Sequence, residues 1–245
     1  MFRTEITFVR HAESTHMQNP DIVAGHAGDA KLTEFGEVQA MALGLSWYAD
    51  GYRPTNAYTS NLKRARKTYE IAARAADQTL GARSYGDLDE QCLGEHEGQP
   101  RDTVYTDEVR YEIARQGASY THPGSNQNGN YGESIAKAGK RVIAFMRDKR
   151  RGASRLHEDD ITIAVGHQGS LRAMMARIAL DGFLDRSVDP HELQAAFLEQ
   201  PLLPPCSQTR VILEGGPRSE SIVHRFEGIA VPLDPRYVEM VQAMV

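Results

Sequence analysis

Apolar positions fall into two patterns along the chain: short compact runs, and longer stretches at helical spacing. The first compact run, "ITFV" at 6–9, reads as a buried strand and stops abruptly on Arg10 and His11. Thr33 has the character of an N-cap, ahead of a helix in which Val38, Met41, Leu45 and Tyr48 share one face. Residues 56–60 ("NAYTS") form a second short strand, and 61–77 are strongly helical. A long helix is expected over 133–151, with Ile135, Val142 and Met146 turned inward. "DITIAVGH" at 160–167 is the clearest buried strand, and the helical "SLRAMMARIAL" follows it. Residues 209–214 and 221–227 flank a Gly-Gly-Pro turn and read as a hairpin.

Strands separated by helices of this length predict an α/β fold of three layers. A mostly parallel sheet carries helices on both faces, and the C-terminal β-hairpin pairs antiparallel. One domain spanning 1–245 is expected, with 92–131 inserted as a small cap beside the sheet. The stretch 122–134, "HPGSNQNGNYGES", looks too polar to pack and is expected to be a mobile loop. The long helices could supply a homodimer face.

Composition narrows the function classes. The chain has 245 residues, enough for a sizeable core, and only two cysteines, Cys92 and Cys206. A reducing, cytoplasmic setting is therefore expected. No basic-then-apolar leader precedes Ile6, and no apolar run is long enough to span a bilayer. A net charge of −5 offers no diffuse attraction to nucleic acid or an anionic membrane.

Ligands of open α/β sheets bind beyond the carboxyl ends of the strands. Three strand ends here carry related residues: Arg10-His11, then Ser60 with Arg64 one turn into the next helix, then His167 ahead of Gln168. Two imidazoles, two guanidinium groups and a helix N-terminus at one edge suit an anion. Taken singly, each has a plainer reading. Arg10-His11 could be surface punctuation, Arg64 a solvated helix charge beside Lys63, Arg66 and Lys67, and His167 a hydrogen-bonded core histidine. Their joint placement favours the site.

In order along the chain, "RHAEST" (10–15), "LTEFGEVQA" (32–40), "SNLKRARKT" (60–68), "LDEQCLGEHEG" (88–98), Gly132 to Ser134 and "AVGHQGSLRA" (164–173) resemble the motifs of the histidine phosphatase superfamily, also called phosphoglycerate mutase-like. The resemblance implies that His11 is a nucleophile forming a phosphohistidine. It implies that Arg10, Arg64 and His167 hold the phosphate, and that Glu90 is the proton donor. It also implies substrate contacts from Ser14, Thr15 and Gln168. Imidazole splits one difficult phosphoryl transfer into two easier ones, and planar guanidinium groups bind two equatorial oxygens at once. No cofactor or divalent metal is needed.

The expected reaction is hydrolysis of a small-molecule phosphate ester by a metal-independent phosphomonoesterase. The alternative is a phosphoglycerate-type mutase using the same intermediate. Mutases of the family tend to carry Asn where Met17 stands, and they need further cations, for which Arg101 and Arg115 are the available residues. The family glycine after the nucleophile is Ala12 here, tolerable if its φ stays negative. Two other classes compete: a metal-dependent hydrolase built on the acids and His96 of 87–97, and a non-catalytic phosphate-binding module.

Overall fold

The computed structural model describes residues 2–26, 30–156, 159–181, 187–215 and 223–244. Six strands form one mixed sheet: β1 Phe2–Arg10, β2 Asn56–Thr59, β3 Arg83–Ser84, β4 Asp160–Gly166, β5 Gln208–Gly215 and β6 Val223–Val231. Their order is β3-β2-β4-β1-β5-β6, parallel from β3 through β1 and antiparallel across β1-β5 and β5-β6. The hairpin is present, although its turn at 216–222 lies outside the described residues. Eight helices complete the described fold: α1 Glu34–Ala49, α2 Lys63–Ala75, α3 Arg101–Val104, α4 Asp107–Gln116, α5 Ile135–Leu156, α6 Gln168–Asp181, α7 Pro190–Glu199 and α8 Pro235–Gln242.

Side chains alternate across the strands and so feed two cores. Ile6, Phe8, Tyr58 and Ala164 pack against Val142, Phe145, Met146, Leu171 and Met174 of α5 and α6. Val9, Ala57, Ile163 and Val165 pack on the opposite face against Ala40, Leu43 and Trp47 of α1 and Ala65, Tyr69 and Ala72 of α2. Helices therefore cover both faces of the parallel part. Val142 and Met146 turn inward as expected, while Ile135 is only half-buried.

Thr33 caps α1, its Oγ1 accepting from the Gly36 N–H at 2.9 Å. The predicted inward face of that helix is wrong. Met41 and Tyr48 are exposed, and the buried seam is Gly36, Ala40, Leu43, Gly44 and Trp47. Small residues win here because the backbones approach closely: a side chain at Gly44 would collide with the Ala72 carbonyl of α2.

The 122–134 segment also departs from expectation, because its polar groups satisfy one another. Asn126 Oδ1 accepts from the N–H groups of Asn128 and Asn130, at 3.0 and 3.1 Å, and Asn126 Nδ2 donates to Glu97 at 2.9 Å. Nearby, Nδ1 of His96 and of His122 lie 2.9 Å apart, so one donates and the other accepts. Burial, then the neighbouring His96, pushes His122 down to about 4 from 6.5. A folded value below the unfolded one means that stability held above pH 6.5 is lost as pH falls toward 4. His16 shares this window. Urea midpoints are expected to decline between those pH values, and a His122→Gln variant to decline less steeply; superimposable curves would refute the assignment.

Candidate active site

The three chemistry-bearing strand ends are neighbours, because β4 lies between β1 and β2. As β1 ends, the His11 N–H still bonds the Gly166 carbonyl at 3.0 Å, and the Ser60 N–H bonds Val165 at 2.9 Å. These contacts bring His11, Ser60 and His167 to one edge. The rings of His11 and His167 have centroids 4.9 Å apart, and Arg64 Nε donates to His11 Nε2 at 3.3 Å. All three side chains are at most 3 % exposed.

His11 Nδ1 lies 2.6 Å from the Ala12 carbonyl, so it donates there and leaves the Nε2 lone pair facing Arg64. Ala12 keeps a negative φ, its N–H bonds Thr68 Oγ1 at 3.0 Å, and its methyl is fully buried. The replaced glycine therefore costs the local geometry nothing. Burial, then Arg64 and Arg10, holds the His11 imidazole well below its ordinary 6.5, and burial, then Arg64 and His11, does the same for His167. Both rings are neutral at pH 7, the form in which an imidazole can attack.

Arg10 donates to the Leu203 carbonyl and, at 3.5 Å, to Met17 Sδ, while its buried Nε has no protein partner. Arg64 also donates to the Gly25 carbonyl at 3.0 Å. Gly25 holds φ +59°, and any side chain there would strike Glu97. Glu97 in turn accepts from the His26 and Leu93 N–H groups at 2.7 and 2.8 Å, so it fixes the loop that braces Arg64.

Glu90 accepts three N–H bonds, from Gln91, Gly169 and Ser170 at 2.9, 3.1 and 2.8 Å, the last two at the N-terminus of α6. The segment that carries it is clamped by Arg141, which pairs with buried Glu133 at 2.6 Å and donates to the Gly86, Asp87, Asp89 and Glu90 carbonyls. Within the acids of 87–97, the Glu90 and Glu97 carboxylates thus turn to separate backbone partners. Among the described residues, no three His, Cys, Asp or Glu side chains converge as metal ligands.

Above the imidazoles opens a cleft of about 650 Å³, lined among others by Arg10, His16, Met17, Glu90, Gln168 and Arg172. His11, Arg64 and His167 are buried and outside that lining, but Arg10 and Gln168 beside the two imidazoles, and Gly25, whose carbonyl Arg64 bonds, belong to it. Arg64 occupies the lone pair of His11, so a bound phosphoryl group has to draw the guanidinium onto its own oxygens. Two residues expected to contact substrate lie outside the cleft lining. Ser14 is fully buried with its hydroxyl 3.0 Å from His16 Nδ1, and exposed Thr15 bonds Lys31 through its backbone. Neither lines the cleft. Of the two extra cations, Arg101 reaches the cleft, whereas Arg115 is exposed and pairs with Glu112 at 2.6 Å.

Sequence reasoning missed His16, whose ring centroid is 5.9 Å from that of His11. Burial, then Arg64 and Arg10, lowers it to about 4. It also missed Arg172, which donates to the Phe197 and Gln200 carbonyls at 3.0 and 2.9 Å. The Ser14-x-His16 spacing, which folds one side chain onto the other, was the available signal.

The family profile of the histidine phosphatase superfamily (branch 1) matches residues 6–195. The chain belongs to this superfamily. Similar curated members are 2,3-bisphosphoglycerate-dependent phosphoglycerate mutases. That of Mesorhizobium japonicum is 31 % identical over 74 % of this chain and 83 % of its own, and that of Latilactobacillus sakei 27 % identical over 77 % and 84 %. The fold of this superfamily member matches a mycobacterial glucosyl-3-phosphoglycerate phosphatase (TM-score 0.70, 19 % identity, 94 % of this chain and 100 % of that one). It also matches a phosphoglycerate mutase from Bacillus anthracis (TM-score 0.67, 16 % identity, 98 % and 97 %). No helix among the described residues of this histidine phosphatase relative is long and apolar enough to cross a membrane.

Proposed function

We propose that the protein is a phosphomonoesterase that hydrolyses a small phosphorylated metabolite through a phosphohistidine on His11. The observation that carries this reading is a neutral, buried His11 with Nδ1 tied to a carbonyl and Nε2 facing Arg64, beside Arg10 and His167. His11 Nε2 attacks phosphorus and the P–O ester bond breaks. Glu90 gives its proton to the departing alkoxide. Water then attacks the phosphohistidine, Glu90 takes its proton, and His11 is restored. Arg10 and Arg64 balance the charge on the equatorial oxygens, and His167, neutral in the free enzyme, takes up a proton as that charge arrives. Gln168 and the 92–131 segment, acting as a cap on a single domain, line the way in. Two free, buried cysteines suit a reducing, cytoplasmic setting.

Met17 where mutases carry Asn, and Arg115 turned away on Glu112, favour hydrolysis over transfer to a second hydroxyl. The mutase names of the curated relatives keep the second reading in view. Released phosphate from a panel of sugar and glycerate phosphates, set against interconversion of 2- and 3-phosphoglycerate, separates the two. Dominant interconversion would sink the phosphatase reading.

A methyl group at position 169 would sit 2.7 Å from Glu90 Oε1. Gly169→Ala is therefore expected to displace the carboxyl and slow hydrolysis of alkyl phosphates by about 10–100-fold. p-Nitrophenyl phosphate, whose leaving group needs no proton, is expected to be affected far less. Equal losses on both substrates would remove Glu90 from the proton-donor role.

A further inference from the structure

Asp89 is a buried carboxylate that none of the steps above uses. Its Oδ1 accepts from Ser60 Oγ at 2.9 Å and from the Asn61 N–H at 2.7 Å, while Oδ2 accepts from Asn61 Nδ2 at 3.0 Å and faces His26 Nε2 at 3.3 Å. Burial alone would raise this carboxyl, but the bonds from His26, Asn61 and Ser60 outweigh it and hold it below its usual range. Asp89 is thus an anion that can only accept. The one hydroxyl proton of Ser60 points at it, which leaves Ser60 Oγ to accept from the Leu62 N–H at 3.0 Å and from His167 Nε2 at 2.8 Å. His167 therefore carries its proton on Nε2, and its buried Nδ1 is the uncommitted nitrogen of the ring.

We propose that Asp89 is a positioning residue: acting through Ser60, it fixes the tautomer of His167 so that Nδ1 stays open for the second proton with which the ring grips a phosphoryl oxygen. The inference rests on the phosphohistidine reading of His11. It assigns His167 a buried anion two hydrogen bonds away; an aspartate bonded directly to a catalytic imidazole fixes its tautomer, and here Ser60 relays that effect. The other charged or titratable groups facing His167 are Arg64 from α2, His11 from the end of β1, His16 and His26. Asp89 additionally feels Arg64, Arg141 and Asp87. When a phosphoryl group arrives, its negative charge favours protonation of Nδ1, and Asp89 balances the resulting imidazolium from behind.

Asn cannot replace Asp89, because its NH2 would meet either the donors of Asn61 and His26 or those of Ser60 and the Asn61 backbone. The test uses imidazole ¹⁵N spectra of the full chain, with Ser60→Ala and Asp89→Asn as variants and melting temperatures recorded alongside. In the parent, His167 is expected as the Nε2–H tautomer, and in both variants as a mixture. For p-nitrophenyl phosphate, kcat is expected to fall about 10–100-fold with KM little changed. The alkaline limb of kcat is expected to move to lower pH as the imidazolium loses its anion. Variants that keep the Nε2–H tautomer and the parent limb, whatever their melting temperature, overturn the proposal. A His11→Ala protein that still turns over would instead refute the phosphohistidine reading and leave the tautomer result standing.

Discussion

Alanine at position 11 is expected to abolish the covalent phosphoenzyme and to lower kcat by about 10⁴-fold or more. The parent, quenched during turnover with a ³²P-labelled ester, is expected to retain label that is labile in acid and stable in base. The variant is expected to retain none. His11 is neutral, oriented by a backbone carbonyl and buried among cations, so no neighbour is placed to substitute for it. His167 is close enough to raise the question: its Nε2 is spent on Ser60, and its open Nδ1 is the nitrogen assigned to grip a phosphoryl oxygen, so this variant tests that assignment too. Label persisting in the variant would move the nucleophile elsewhere.

The second large effect is at Arg64. Removing it as Arg64→Ala is expected to lower kcat/KM by about 10²–10³-fold, the scale of one lost transition-state donor. It is also expected to shift the pH profile in a direction fixed by sign. After burial, Arg64 is the largest influence holding His11 below its ordinary value. Without the guanidinium, His11 takes up a proton at higher pH, so the acid limb of kcat/KM moves upward. An unmoved limb with the same loss of rate would mean that Arg64 serves binding alone.

Where hydrophobic period alone decides the structure, the sequence was a good guide. The run 160–167 is apolar on both faces and became the strand between β1 and β2, and the Thr33 cap was legible from residue type. The helix behind Thr33 was misread because hydrophobicity ranks Met41 and Tyr48 above Gly36 and Gly44, whereas close backbone packing ranks them the other way. Of the helices not expected from the sequence, α7 and α8 begin on Asp189-Pro190 and Asp234-Pro235, an N-cap aspartate with Pro at the first turn. That signal was present and unused. The structure brings Arg10, His11, Arg64 and His167 to one edge of the sheet, a convergence legible beforehand because strand ends mark them. Asp89 was invisible within an acidic run, since only the fold distinguishes a carboxylate turned onto Ser60 from one turned to water.

β4 is threaded late in the chain yet seated between two strands from the first quarter of it. During synthesis, β1 and β2 therefore emerge with open backbone edges and no shared partner, and the two imidazoles stay apart until the ribosome has passed His167. Such long-range closure is slow and leaves a nascent chain prone to wrong pairing. Any fragment ending before Asp160 inherits the open edges without the strand that fills them.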